Sequence, residues 1–407
     1  MPKLLQIDSC LGILSTGRIT ESIAALATVK GWDCYIAHGA RCIGETRQTH
    51  YQITKKFDEY VHYAQSLLFD SHGLHSTAAT RRLVKWIDSI KPDVINLHCI
   101  HGYHLNYKVL FEYLNAHDIP VVWTFHDCWA FTGHCAYFTS IQCNKWKEGG
   151  CYNCPLKRDY PMSIVDRSAR NYSIKKELFK RNKQLHIVTV SKWLEQVTRE
   201  SFFSNADIRT IYNGVDTDIF KPKANIKHVL RKYALDDVQY VVGVATAWSE
   251  RKGLSDYWRL SSLMSQEVKI VLVGLDDKLC KEAANYGIVG IPRTDNVDEL
   301  VALYNGASIV MNLSYEETFG LTTIEGFACG TPSIVYNATA SPELVTPETG
   351  VVCAPGDIDG VARAIEVILL KGKGYYFKAC RERALEKYNK DDRFQEYINL
   401  YENLIKK

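Results

Sequence analysis

The chain lacks any apolar run able to cross a membrane: none of its 407 residues fall in a stretch approaching about 18 uninterrupted apolar positions. Its opening, Met1-Pro2-Lys3-Leu4-Leu5-Gln6-Ile7-Asp8, turns polar too soon for a signal peptide and reads as a first buried strand. No charge of one sign dominates. The 49 Lys and Arg are nearly balanced by 46 Asp and Glu, for a net +3. The broad basic footprint of a dedicated nucleic-acid binder is therefore missing, although a local basic patch is compatible with that average. Low-complexity tracts and solenoid repeats are also absent, which excludes a disordered chain or a repeat array. What remains is ordinary for a globular protein, with 46% hydrophobic and 23% charged residues. At about 150 residues per domain, the length suggests two or three domains. Thirteen cysteines without a secretory leader read as thiols in a reducing compartment, so a cytoplasmic location is expected.

Short β-branched runs alternate with amphipathic stretches, the βαβ signature of parallel sheets. Strands are expected at Lys3–Asp8, Trp32–Ala37, Asp93–His98, Pro120–His126 and His186–Ser191. A second set follows at Gln239–Thr246, Val268–Gly274, Ile288–Pro292, Ala307–Leu313, Pro332–Tyr336 and Gly350–Cys353. Helical spacing of about 3.6 residues marks Leu74–Ile90, Tyr103–Ala116, Val297–Asn305, Ile358–Leu370 and Asp391–Ile405. The fold class is therefore α/β, with two Rossmann-like, doubly wound parallel-sheet lobes. The turn Asn213-Gly214-Val215-Asp216 and the polar stretch Lys221–His228 mark the junction. The expected lobes are 1–215, carrying a Cys-rich insertion at 128–160, and 216–390, followed by a terminal helix at 391–407.

The loop after the first strand holds Gly12 and Gly17 ahead of a helical run from Ile19. Glycines at a helix start let backbone N–H groups approach an anion. The spacing mimics a phosphate-binding P-loop, but Arg18 and Ile19 stand where Lys and Ser/Thr are required. It is not G-x-G-x-x-G either, so a phosphotransferase is disfavoured and an NAD site has no fingerprint. The more informative segment is Ser314–Gly326. Glu317 and Glu325 stand eight apart, the first after a strand and the second about one and a half turns into a helix. Between them, Gly320, Leu321, Thr322 and Thr323 would offer free N–H groups of a helix start where a diphosphate could sit, with a carboxylate at each end for sugar hydroxyls.

This Glu-x7-Glu element resembles that of retaining glycosyltransferases of the GT-B fold, in particular family 4. Phe319-Gly320-Leu321, Ala328-Cys329-Gly330-Thr331-Pro332 and Glu343 follow the family's order. Upstream stand Asn213-Gly214-Val215-Asp216, Phe220, Pro222 and Arg251-Lys252-Gly253. The N-terminal half resembles a capsular or exopolysaccharide subgroup through Trp123-Thr124-Phe125-His126-Asp127 and the cysteine-rich stretch after it. The resemblance implies two lobes facing across a cleft and a terminal helix packed back on the first lobe. It implies that Arg251 and Lys252 neutralise a nucleotide-sugar diphosphate, Glu325 holds the ribose and Glu317 meets the transferred sugar. Gly12 and Gly17 would approach the donor, and His126 would lie near the donor sugar and its scissile bond. The family resemblance implies transfer with retention, and the subgroup resemblance implies a saccharide acceptor, typically lipid-linked, in surface polysaccharide synthesis. Two other readings stay open: a nucleotide-sugar epimerase of GT-B form, and a non-catalytic, zinc-stabilised interaction protein. Product formation without an acceptor would separate the first. The joint presence of Glu317, Glu325, Arg251 and Lys252 argues against the second.

Three features need weighing. Asp216-Thr217-Asp218 is a D-x-D, a metal signature of the other glycosyltransferase fold, but turn formation explains it, and no catalytic metal is expected. Cys135, Cys143, Cys151 and Cys154 could complete a tetrahedral structural zinc site, although only Cys151-x2-Cys154 has knuckle spacing; packed reduced thiols are the other reading. Arg167, Arg170, Lys175, Lys176, Lys180, Arg181 and Lys183 make one helix basic. A solvated face is the default, and contact with anionic lipid headgroups is the alternative.

Overall fold

A computed structural model describes residues 1–406. Two compact units divide it: Met1–Tyr212 together with the chain from Arg393 onward, and Asn213–Asp392. Each is built on one parallel sheet.

The first unit carries β1 (Lys3–Leu11), β2 (Asp33–Ile43), β3 (Thr49–Gln52), β4 (Val94–Leu97), β5 (Val121–Phe125), β6 (Leu185–Thr189) and β7 (Asp207–Thr210). Their order is β3-β2-β1-β4-β5-β6-β7. The central strands are buried on both faces, as Val94–Leu97 and Val121–Phe125 show. That double burial makes them legible as continuous apolar runs. By contrast, β3 (Thr-His-Tyr-Gln) is an exposed edge strand without an apolar run, and β7 lies at the other edge with only Ile208 buried. Neither was expected as a strand. The helix Lys390–Ile405 lays Phe394, Tyr397, Ile398, Tyr401 and Leu404 into the core formed by Leu4, Ile23, Trp32, Ile36, Val94 and Val122. The Tyr401 hydroxyl also receives the Asn96 amide at 2.6 Å. Full burial of each such side chain contributes about 1.5–3 kcal/mol.

The second unit carries β8 (Gln239–Val244), β9 (Val268–Val273), β10 (Val289–Ile291), β11 (Ile309–Asn312), β12 (Ser333–Tyr336) and β13 (Gly350–Cys353), ordered β10-β9-β8-β11-β12-β13. Its two ends close on each other: Val215 N–H donates to Tyr388 O at 2.8 Å, and Lys390 N–H returns to Val215 O at 3.0 Å. A Cβ on Gly214 would sit 2.3 Å from Lys390 Cα, so this contact requires glycine.

Two helices escape the apolar-spacing rule. Lys373–Tyr388 buries only Tyr376, Cys380, Ala384 and Tyr388, a narrow stripe at every fourth residue. Lys56–Phe69 buries Glu59, His62 and Ser66, the reverse of an ordinary amphipathic helix. The polar stretch expected as linker ends in the short helix Lys227–Lys232.

Candidate functional site

Topology singles out one place in each sheet. In the second unit the chain leaves β8 toward β9 and β10, then returns on the other side as β11. Open α/β sheets bind ligands beyond the carboxyl ends of the strands at such a reversal. The segment after β8 forms a 3-10 turn, Glu250–Lys252, ending in Gly253 at φ +72°. A Cβ there would lie 2.1 Å from Leu313 O, so glycine is what lets the turn pack against the end of β11. Tyr315 N–H then donates to Arg251 O at 3.0 Å, and Arg251 Nη1 donates to Glu316 O at 3.0 Å. Lys252 Nζ meets Glu317 Oε2 at 2.5 Å. The fold thus joins Arg251, Lys252 and Glu317 in one charged corner. Burial pushes the Glu317 carboxyl up, but Lys252, Arg251 and the Phe319 N–H outweigh it and hold the group below the usual carboxylate range.

Gly320, at φ +104°, starts the helix Leu321–Ala328 without a side-chain cap. An uncapped helix start offers N–H groups and the positive end of the helix dipole to an anion. Thr322 and Leu321 are half-buried there. Glu325 lies in the second turn, and its Oε2 accepts the buried Tyr304 hydroxyl at 2.7 Å. Phe319 is 2% exposed, its ring packs 5.8 Å from Tyr388, and its N–H is bonded to the Glu317 carboxylate, so it braces the corner from inside.

In the first unit the reversal lies between β1 and β4. Gly12 follows β1 at φ +62°, where a Cβ would meet Glu45 O at 2.3 Å. The next helix, Leu14–Val29, begins earlier than the expected Ile19, which puts Gly17 in its first turn against Cys10 and Gly12 N. His126 sits just beyond β5, and its Nε2 lies 3.1 Å from His98 Nδ1. His98 Nε2 is 3.1 Å from Gln6 Oε1, while Gln6 Nε2 donates to Thr20 O at 2.8 Å. Because the Gln6 amide nitrogen is spent on a carbonyl, its oxygen must accept. His98 therefore carries its proton on Nε2, His126 carries its own on Nε2, and His126 Nδ1 is left as a proton acceptor. Burial lowers the His126 pKa to about 4, with Asp127 opposing and His101 reinforcing the shift. The ring is neutral at neutral pH.

A second chain runs beside it. Asp127 Oδ2 lies 2.9 Å from His101 Nε2, and His101 Nδ1 lies 2.9 Å from the Tyr160 hydroxyl. Asp127 Oδ1 also accepts the Trp129 N–H at 2.9 Å. Burial raises the Asp127 carboxyl, but His101 and that N–H overcome it and keep the group ionised. Because the ionised Asp127 carboxylate accepts the His101 Nε2–H, His101 Nδ1 accepts in turn and the Tyr160 hydroxyl donates to it. Gln6, His98, His101 and Tyr160 were not among the sequence candidates, and Asp127 entered only as the last residue of the Trp123–Asp127 motif. For the others the available signal was His98 at the end of a predicted strand with His101 three residues on.

Three further features named from the sequence have a defined place in the structure. Asp216 Oδ1 accepts the N–H groups of Asp218 and Ile219 at 3.0 and 3.1 Å, and Oδ2 pairs with Lys390 at 2.5 Å; the D-x-D is a turn. Lys175 does not belong to a solvated face. It is 1% exposed, donates to Trp129 O and Thr132 O at 2.7 and 3.1 Å, and burial lowers its pKa to about 7. Cys135 and Cys154 hydrogen-bond each other, and Cys151 Sγ accepts Gly133 N–H at 3.1 Å, while Cys143 stands half-buried near Cys151. Among the described residues, no three His, Cys, Asp or Glu side chains are arranged to hold a metal ion.

Residues 225–390 match the model for glycosyl transferases group 1, and residues 44–219 match that for glycosyltransferase family 4. Over 77% of its length the chain is 24% identical to a colanic acid biosynthesis glycosyl transferase of Escherichia coli, WcaC, of which it covers 77%. The sucrose-phosphate synthase of Thermosynechococcus elongatus shares the fold at TM-score 0.74 and 16% identity, with 99% of each chain covered. Anabaena Alr3699/HepE, solved in complex with UDP-glucose, does so at 0.66 and 14%, covering 98% of this chain and 99% of its own. The two family matches run from residue 44 to residue 390 with only 220–224 between them, and the chain belongs to the GT-B glycosyltransferases of family 4.

Proposed function

We propose that the chain transfers a sugar, with retention of anomeric configuration, from a nucleoside-diphosphate sugar to a saccharide acceptor carried on a lipid. The product would belong to a surface polysaccharide. One observation carries the reading: the corner at the β8–β11 reversal, where Arg251, Lys252 and Glu317 meet beside an uncapped helix start. Such a corner suits a departing diphosphate. As the glycosidic bond to phosphate breaks, negative charge grows on the leaving oxygens and positive character on the anomeric carbon. Preorganised cations and helix amides stabilise the former without reorganising. Glu317, held ionised by its partners, faces the sugar hydroxyls, and Glu325 takes the ribose. Taken by itself, the first unit offers the close backbone at Gly12 and Gly17 and the lone pair of His126 Nδ1, which suits a sugar hydroxyl. The relative of known complex binds UDP-glucose, which favours a uridine donor; the relative named for colanic acid favours an exopolysaccharide product. The reaction as drawn routes no step through a metal.

The test is a panel of UDP-, GDP- and ADP-hexoses incubated with lipid extract and followed for diphosphate release and product anomer. Release from one donor class with an α-linked product from an α-donor is expected. Inverted product, or epimerised donor without any acceptor, would overturn the reading.

A further inference from the structure

The helix Lys56–Phe69 is inside out. Its buried residues are Glu59, His62 and Ser66. Glu59 is fixed by Ala40 N–H at 2.6 Å, the Thr54 hydroxyl at 2.8 Å and Arg41 Nε at 2.8 Å. His62 is held by Ser76 Oγ at 2.9 Å and Gly73 N–H at 3.2 Å. The polar side thus faces the protein and is bonded there. The outward stripe consists of Phe57, 74% exposed, Tyr60, 61% exposed, Val61, Ala64 and Leu68. Spacings of three, one, three and four residues put these five on one helical face. The stripe continues into the loop after the cysteine segment: Ile164 N–H and Ser163 Oγ both donate to Leu67 O, at 2.9 and 3.1 Å. Ile164, 59% exposed, with Met162, Val165 and Phe69, extends the apolar surface.

A soluble surface seldom presents a contiguous apolar patch without a use for it. Here the charges at its margins indicate the use. Lys55 and Lys56 are exposed at one end of the helix. At the other, the Arg167 guanidinium lies 5.8 Å from the Phe69 ring centroid, and Arg170 is exposed one turn on. Nearby acids are mostly committed: Glu59 to Arg41, Asp58 to the Lys55 N–H, and Asp166 to Ser168 N–H. Asp159 stands exposed against Arg158 in the same loop. Apolar and aromatic side chains in a row with cations at both ends match an interfacial helix lying flat on an anionic bilayer. A second copy of the chain fits less well, since either orientation of two such helices sets Lys or Arg ends against each other.

We propose that this face docks on an anionic phospholipid surface, with the apolar stripe at the headgroup–acyl boundary and the basic ends on phosphates. It deepens the reading of a lipid-linked acceptor, and rests on that reading only for what the docking is for. Two sources of cations are thereby distinguished: the helix Ser168–Lys180 contributes its first turn, not its whole length.

The experiment is flotation of the full chain with vesicles of equal phosphatidylglycerol and phosphatidylcholine, and with phosphatidylcholine alone, at 0.15 M salt as a probe condition. Binding to the anionic vesicles only is expected, falling at least about fivefold in F57S/L68S and in K55E/K56E, with nucleoside-diphosphate binding unchanged in both. Wild-type failure to float, or equal flotation of the variants, would overturn the proposal. A dimer in light scattering that F57S/L68S abolishes, without vesicle binding, would assign the face to a second copy and overturn it too. Vesicle binding that persists in a chain binding no nucleoside diphosphate would instead leave the docking intact and remove the transferase reading.

Discussion

The two sheet reversals carry opposite kinds of chemistry. In the second unit the corner is made of ions: Arg251 and Lys252 bracket Glu317, with side chains of the Lys252–Glu317 pair 20% and 17% exposed. In the first unit the groups beyond β4 and β5 form hydrogen-bonded chains ending on His126 and on Tyr160, and burial keeps His126 uncharged. Charge is useful where a diphosphate departs, because its development is what must be stabilised. Oriented donors and acceptors, among which Asp127 alone is held ionised, are useful where hydroxyl groups must be recognised, since a hydroxyl is matched by a lone pair in a fixed direction.

Each prediction tests that division, taken from the largest expected effect to the smallest. Lys252→Ala removes a cation from the corner and leaves Glu317 partly buried with one partner fewer. Turnover should fall by about 10²–10³, read as kcat with saturating donor; a change confined to KM would break the account of the corner as a charge-stabilising device. His98→Ala leaves His126 in place but releases its tautomer, so activity should fall by about 10–100-fold. His98→Gln, which can still accept from His126 Nε2, should recover part of it, whereas no difference between Ala and Gln would mean that His98 only packs.

A smaller effect is expected from pH. Burial holds His126 at about 4 and, more strongly, His62 at about 3, both below the unfolded value near 6.5. The unfolded chain therefore binds more protons than the folded one between pH 6.5 and these values. Stability present above pH 6.5 is lost as pH falls, by about 1.4 kcal/mol per unit for each histidine in that window. Denaturant midpoints at pH 7 and pH 5 check this, and equal midpoints would contradict it. The smallest effect is that of Tyr160→Phe. It removes only the outermost hydroxyl of the Asp127 chain and should change donor hydrolysis by less than about threefold while raising acceptor KM.

The same contrast explains what was legible in the sequence. The ionic corner is carried by two contiguous motifs, Arg251-Lys252-Gly253 and Glu317–Glu325, each readable because strand, turn and helix succeed one another locally. Central strands such as β5 were readable because both faces are buried; the edge strand β3 was not, because polar residues suffice there. The hydrogen-bonded chains join Gln6, His98 and His126, or His101, Asp127 and Tyr160, across separate strand ends, and no spacing rule brings such residues together. Lys175 was hidden for another reason: a helix rich in cations gives no sign that one of them caps two carbonyls inside. The helix Lys56–Phe69 was not among the expected elements, and although its apolar stripe keeps helical spacing, periodicity carries no sign that this stripe faces outward while Glu59, His62 and Ser66 are buried.

The central claim, that the charged corner of the second unit receives a nucleoside diphosphate, is tested most directly by calorimetric titration of UDP, GDP and ADP into the full chain and its Arg251→Ala/Lys252→Ala variant. Binding of one of the three by the wild type, weakened at least about tenfold in the variant while Tyr160→Phe binds as the wild type does, is the predicted result. Equal affinity of variant and wild type, or no binding of any diphosphate by the wild type, would contradict it.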